Sequence, residues 1–280
     1  MKHPYLCKLT FALLTVSVCN SSKTLAEIPV TTFHLTSRHQ PSAQRIRMLA
    51  PRSLQAGNLP EGERVRVVYI LPVEEGSGII WGDPLKACRD AKVLEQHSAV
   101  LVFPEFEQLP WYADHPTDKT IAQESYLIKS VIPAVEEKLG FETTKCDRYL
   151  LGFSKSGWGA FSLILRHPGL FQKAAAWDAP LMMDAPGKYG SGPIFRTHEN
   201  FQKYHVTSLL KRTTPQEPGT APRLISIGYG NFREHHLEIH ELLTTLKIPH
   251  IHKDGPQHKH HWESGWVKDA VDLLLAQPSQ

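Results

Sequence analysis

The sequence predicts an α/β fold, a mostly parallel central sheet of about eight strands with helices on both faces. Three observations point there. From residue 64 onward, short β-branched runs alternate with segments of helix length, the order that right-handed crossovers build into a parallel sheet. The run R-V-R-V-V-Y-I-L at 64–71 is apolar almost without a break, which suits a strand covered on both faces. The 280 residues, 41% hydrophobic and 21% charged, suffice for one large core. A single domain over residues 27–280 is therefore expected.

Residues 1–26 stand apart from that pattern. Lys2 and Lys8 precede an apolar stretch, 9–19, and Thr24-Leu25-Ala26 offers a small-residue exit. That is the layout of an export signal, cleaved after Ala26, and it implies a secreted or periplasmic protein. The stretch is shorter than the roughly 20 residues that span a bilayer, so no stable membrane insertion is expected. Val18 before Cys19 is bulkier than the residue that usually precedes a lipidated cysteine, which makes a lipoprotein the weaker reading.

The elements follow in order. Residues 30–37, 44–49 and 64–71 read as strands. Asp83-Pro84 opens a helix to about His97, because aspartate caps free N–H groups and proline tolerates the first turn. A strand at 99–103 precedes a helix at 121–139, kinked at Pro133 and ended by Gly140. Strands at 148–153, 173–177, 223–228 and 249–253 alternate with helices at 157–167, 201–210, 235–246 and 262–276. Pro- and Gly-rich stretches at 184–193 and 213–222 read as surface loops, since strands continue beyond them.

Charge and cysteine content exclude some partners. The formal net charge is +3, from 31 basic and 28 acidic residues, with no basic stripe broken by aromatics, so no nucleic-acid partner is expected. After signal removal only Cys88 and Cys146 remain, too few for a disulfide framework. Sixteen histidines invite a metal reading, and His236 and His240 share one helix face. Leu237 follows His236, however, so the H-E-x-x-H pattern is absent, and neither a metal nor another cofactor is expected.

The chemistry concentrates at 150–160, L-L-G-F-S-K-S-G-W-G-A. Ser154 lies directly after one strand and before one helix, in G-x-S-x-S-G. A sharp turn there lifts the central side chain above the sheet, and small neighbours let the helix pass close by. Gly152 fits two positions before; Ser156 stands two after, where glycine is usual. The helix N-terminus favours negative charge, so the Lys155 N–H is the natural oxyanion donor. A serine hydroxyl needs a base to take its proton, and in this sheet design the histidine comes last. His258, His260 and His261 follow the final strand in D-G-P-Q-H-K-H-H-W-E-S-G-W.

These motifs resemble the α/β-hydrolase superfamily, especially the esterase branch that includes esterase D-like and feruloyl and acetyl-xylan esterase-like proteins. The resemblance runs over roughly residues 30–276, and the closing His260-His261-Trp262 matches that branch's H-x-W. It implies an α/β-hydrolase fold and a Ser154–Asp178–His260 triad, with His261 the rival base. Asn231 stands after the penultimate strand, where the acid is expected, and cannot stabilise an imidazolium as a carboxylate does. Asp178, at the end of the preceding strand, is preferred, with Glu234 as the alternative. By analogy, the second oxyanion donor is the Val73 or Glu74 N–H. Trp111 and Tyr112 leave the same sheet edge and are expected to wall a substrate cleft. The expected activity is cleavage of a small-molecule or carbohydrate-linked carboxylic ester by an exported serine esterase through an acyl-enzyme. A peptidase of the same fold, or a binding protein with a decayed triad, are the alternatives.

Overall fold

The computed structural model describes residues 28–276 except 52–53, 55–62, 215–216 and 218, together with Met1. The expected export signal thus lies, apart from Met1, outside the described residues. Eight strands form one sheet: β1 Val30–Leu35, β2 Gln44–Leu49, β3 Val65–Leu71, β4 Val100–Pro104, β5 Cys146–Phe153, β6 Lys173–Trp177, β7 Leu224–Tyr229 and β8 His250–Gln257. Their spatial order is β1-β2-β4-β3-β5-β6-β7-β8. β2 runs antiparallel to both of its neighbours, and the remaining pairs are parallel.

The unbroken apolar run in β3 has its cause in this placement. Val65, Val67, Tyr69 and Leu71 pack into one core cluster, while Val68 and Ile70 pack into the other, on the opposite face. Side chains alternate across a strand, so a strand with two covered faces must be apolar throughout. Ten helical segments flank the sheet among the described residues: α1 Pro84–Asp90, α2 Val93–Gln96, α3 Gln123–Tyr126, α4 Ile132–Leu139, α5 Lys155–Arg166, α6 Gly192–Phe195, α7 His198–Tyr204, α8 Val206–Arg212, α9 Arg233–Thr245 and α10 Val267–Leu275. Trp158 and Phe161 of α5 and Ile239 and Leu243 of α9 enter the first cluster. Leu85 and Cys88 of α1 and Val271 and Leu274 of α10 enter the second.

Several expected helices are interrupted. The segment expected to run to His97 breaks at Lys92, which adopts φ 51° between α1 and α2. The segment expected over 201–210 is two helices, because His205 is extended (φ −65°, ψ 114°). The last helix is preceded by a short 3₁₀ turn, Trp262–Ser264, and Gly265 at φ 104° separates the two. A π-helical turn, Leu127–Val131, precedes α4, whose first turn holds Pro133, where its missing N–H is tolerated. β8 runs to Gln257, four residues beyond the expected end at 253 and through Gly255-Pro256. It pairs only with β7, and an edge strand can accommodate a proline. Cys88 and Cys146 are buried free thiols in different clusters, one on each face of the sheet.

Candidate active site

Parallel register brings the site together. Leu71 of β3 lies beside Gly152 of β5, and Phe153 lies beside Trp177 of β6. Two residues beyond Gly152 stands Ser154, so the loop after β3 and Asp178 after β6 both flank it at the carboxyl edge of the sheet. Ligand sites of open α/β sheets form at this edge.

Ser154 adopts φ 54° and ψ −130°, a strained backbone for a residue with a Cβ. Its N–H donates to the Trp177 carbonyl at 3.0 Å, and its own carbonyl accepts from Gly157 and Trp158 at 3.0 and 3.2 Å, which hold the strained turn in place. The small neighbours are required by close approach. A Cβ on Gly152 would lie 2.2 Å from the Ser156 carbonyl oxygen, and one on Gly157 would lie 2.8 Å from the Ala179 Cβ. Ser156, in the usual glycine place, turns its hydroxyl inward. Its Oγ donates to the Phe153 carbonyl at 2.8 Å and accepts the Phe153 N–H at 2.9 Å, closing the turn from inside.

His260 is the histidine that reaches the serine. Its Nε2 is 3.1 Å from the Ser154 Oγ, and its Nδ1 hydrogen-bonds to the Asp178 carboxylate. The ring lies against Phe153, with centroids 4.4 Å apart, and is flanked by Trp81 at 5.2 Å and Phe232 at 5.7 Å. His261 points elsewhere: its Nδ1 accepts the Glu263 N–H at 3.2 Å, and its ring packs over Gly82.

Asp178 is fully buried. It takes its place with φ 41°. Burial alone would push its carboxyl up. The His260 hydrogen bond and backbone N–H groups of Phe232, Gly230 and Asn231 outweigh that and hold it below the usual aspartate range. The Asn231 N–H donates at 2.7 and 2.8 Å to the two oxygens, and the Phe232 N–H donates at 2.6 Å. The loop after β7 therefore contributes backbone donors to a carboxylate that arrives from β6, and Asn231 serves through its main chain. Gly230 leaves room for this: a Cβ there would lie 2.6 Å from the Asp178 Oδ2. Glu234 is exposed on α9 and sits 3.8 Å from Arg233, while the His260 Nδ1 is taken by Asp178.

The loop after β3 is fastened from two sides. The Tyr112 hydroxyl donates to the Pro72 carbonyl at 2.5 Å, and the Gly76 N–H donates to the Phe106 carbonyl at 2.7 Å. Val73 and Glu74 are buried within it, and Glu74 and Glu75 act electrostatically on Lys155, the first residue of α5, whose leading N–H groups have no carbonyl one turn back to bond. The Lys155 side chain is half-buried; burial lowers its pKa, and the nearby Glu75 and Glu74 carboxylates oppose that.

The expectation that Trp111 and Tyr112 wall a substrate cleft is corrected. Both are fully buried. Trp111 packs edge-on against Trp158 of α5, and the Tyr112 ring fills the space over Gly159. Their backbone N–H groups bond to the Gln123 side chain at 2.8 and 3.1 Å, which draws both aromatics inward. They support the floor of the site and form no part of its rim.

His236, read from sequence only as a possible metal ligand, has a different role. Its Nε2 accepts the Ala179 N–H at 2.8 Å, so its Nδ1 carries the proton and donates to the Ser226 Oγ at 2.7 Å. It thereby anchors the residue after Asp178. Burial lowers its pKa to about 3 against an opposing pull from the Asp178 carboxylate, so the ring is neutral. Among the described residues no cluster of histidine, cysteine and carboxylate side chains is arranged to hold a metal. A cavity of about 290 Å³ lies at the other edge of the sheet, between Ile164, Leu209, Leu224 and Ile248, away from Ser154.

The strand order, the serine on a strained strand-to-helix turn and the histidine after the last strand define an α/β-hydrolase fold. Solved structures share it. A fluorophosphonate-binding serine hydrolase of Staphylococcus aureus, FphF, is similar with a TM-score of 0.68 and 13% identity, over 89% of this chain and 99% of that one. A ferulic acid esterase is similar with a TM-score of 0.63 and 16% identity, over 88% and 97%. An S-formylglutathione hydrolase from Agrobacterium tumefaciens follows at 0.61 and 15%, over 88% and 95%. No curated protein sequence matches the chain significantly. Residues 84–228, just over half of the chain, match the family described as "Putative esterase". The chain belongs to that family, and its class is that of serine hydrolases acting on carboxylic esters.

Proposed function

We propose that the protein is an exported esterase in which Ser154, His260 and Asp178 form the catalytic relay. The observation that carries this is the unbroken hydrogen-bond path from the buried Asp178 carboxylate through His260 to the Ser154 hydroxyl, beside the N-terminus of α5. Ser154 Oγ bonds to the ester carbonyl carbon while its proton passes to His260 Nε2. Asp178 accepts the His260 Nδ1–H and stabilises the imidazolium. The Lys155 N–H and the Val73 or Glu74 N–H receive the oxyanion. The bond from carbon to the alcohol oxygen then breaks, and His260 returns its proton to that oxygen. Water, deprotonated by the same ring, splits the acyl-enzyme and restores Ser154.

A binding protein with a decayed triad is the reading that Asn231, at the usual acid position, and Ser156, at the usual glycine position, would favour. Asp178 takes the acid's place beside Asn231, and Ser156 closes the turn, so both departures have structural compensation. The fold and family support a small-molecule ester as substrate. Nothing in the buried Trp111 and Tyr112 singles out a carbohydrate-linked ester. The test is hydrolysis of short-chain acetyl and butyryl esters by purified protein. Wild type should turn them over and Ser154→Ala should lose nearly all of that activity; equal rates in both proteins would refute the assignment.

A further inference from the structure

The most exposed large apolar side chains among the described residues, Met1 aside, are three in succession at 79–81 and one tyrosine at 189. Ile79, Ile80 and Trp81 are 64%, 81% and 39% exposed, and Tyr189 is 48% exposed. Trp81 meets His260 edge-on, and Tyr189 meets Phe232, which in turn touches His260. A soluble surface spreads such side chains singly; three in succession, the last of them against the imidazole of the proposed relay, mark a contact surface.

The Ile79–Trp81 tip is held in this exposed position. The buried Glu74 carboxylate accepts the Ile80 N–H at 3.1 Å and the Trp81 N–H at 3.3 Å. The Gly82 N–H closes a turn on the Ile79 carbonyl at 2.9 Å, and the Trp81 carbonyl accepts the Trp262 N–H at 2.8 Å. The tip is thus tied at one end to the oxyanion loop and at the other to the loop that carries His260. With its backbone fastened inward, its apolar side chains face outward without collapsing onto the core.

We infer that this tip is the binding surface for an apolar leaving group, so that the preferred substrates are esters of apolar alcohols. The inference rests on the proposed relay and adds the direction of the substrate. His260 must hand its proton to the alcohol oxygen as the carbon–oxygen bond breaks, so that oxygen approaches Nε2 in the transition state. The first carbons attached to it then lie within reach of the Trp81 ring, 5.2 Å from the imidazole centroid. An apolar alcohol covers Trp81 and Ile80 there and removes their surface and its own from water, a gain that a hydroxyl-rich sugar alcohol, which keeps its hydration, does not match.

The experiment holds the acyl group constant and varies the alcohol. Methyl acetate, benzyl acetate and 6-O-acetylglucose are compared by kcat/KM in wild type and in Ile80→Ser and Trp81→Ala. Wild type should favour the benzyl over the sugar ester by tenfold or more, and each substitution should lower the benzyl-to-methyl ratio by about tenfold, as loss of an apolar contact in a site does. A ratio unchanged by both substitutions, or a wild-type preference for the sugar ester, overturns the inference while leaving the relay intact. A rate that rises only above the solubility limit of a long-chain ester, and loses that rise in Ile80→Ser, would assign the tip to a lipid surface and likewise overturn it. Failure of a fluorophosphonate to label Ser154 in wild type would remove the relay, and the inference with it.

Discussion

Acidification should destabilise this protein through His236, and the size of the effect follows from the structure. The ring is buried, accepts one N–H, and takes a proton only near pH 3, whereas a histidine in the unfolded chain takes one near 6.5. Between those values the unfolded state binds the extra proton, so stability rises with pH. The contribution is full above about 6.5 and drains as the pH falls toward the native value. At pH 4.5 the unfolded group is almost wholly protonated and the native one almost wholly neutral, which costs roughly 3 kcal/mol relative to pH 7.5. Asp178 stays out of this window, because its depressed pKa holds its own contribution until the pH falls below the ordinary aspartate value. Glutamine at 236 does not titrate and can still accept the Ala179 N–H. Urea unfolding at pH 7.5 and 4.5 separates the term. Wild type should lose about 3 kcal/mol more than His236→Gln across the interval, the other histidines titrating alike in both. Equal losses would mean that His236 is not held neutral by the fold.

Further outcomes concern the site. Asp178→Asn should lower kcat by about 10³–10⁴-fold, because the imidazolium loses its carboxylate; Glu234→Ala should leave kcat within about twofold, and the reverse result would move the acid to α9. Tyr112→Phe removes the hydrogen bond to the Pro72 carbonyl, worth about 1 kcal/mol, and should lower kcat roughly fivefold with little change in KM if the loop after β3 supplies the proposed oxyanion donor; an unchanged kcat would detach Tyr112 from that role. Gly152→Ala sets a Cβ 2.2 Å from a backbone oxygen and should lower the melting temperature by several degrees or abolish soluble expression; a wild-type melting curve would contradict the geometry.

The parts of this fold written in local pattern were legible in the sequence. β3 could be read because its burial on both faces demands an unbroken apolar run, and β2 and β6 end where composition changes. The turn at Ser154 could be read because its small neighbours are adjacent in the chain. The acid was legible only as a preference for Asp178 over Glu234, since both are plausible in one dimension; the register of β6 and β7 is what sets Asp178 against the main chain of Asn231. Trp111 and Tyr112 were misread because composition does not tell whether a loop folds inward, and the Gln123 side chain that draws them in lies eleven and twelve residues away. His236 carried no signal of its role, because its neutrality comes from burial against β6 and β7, to which it has no pattern of its own. The breaks at Lys92 and His205 were equally silent, each set by backbone angles at a single residue.

In the proposed relay the Ser154 hydroxyl owes its reactivity to a histidine more than a hundred positions later in the chain. Mass spectrometry of the protein after exposure to a fluorophosphonate reads this directly. The relay requires one phosphonyl adduct, on the peptide carrying Ser154, formed by wild type and nearly lost in His260→Ala. An adduct on another residue, or one that forms at the same rate without His260, would contradict it.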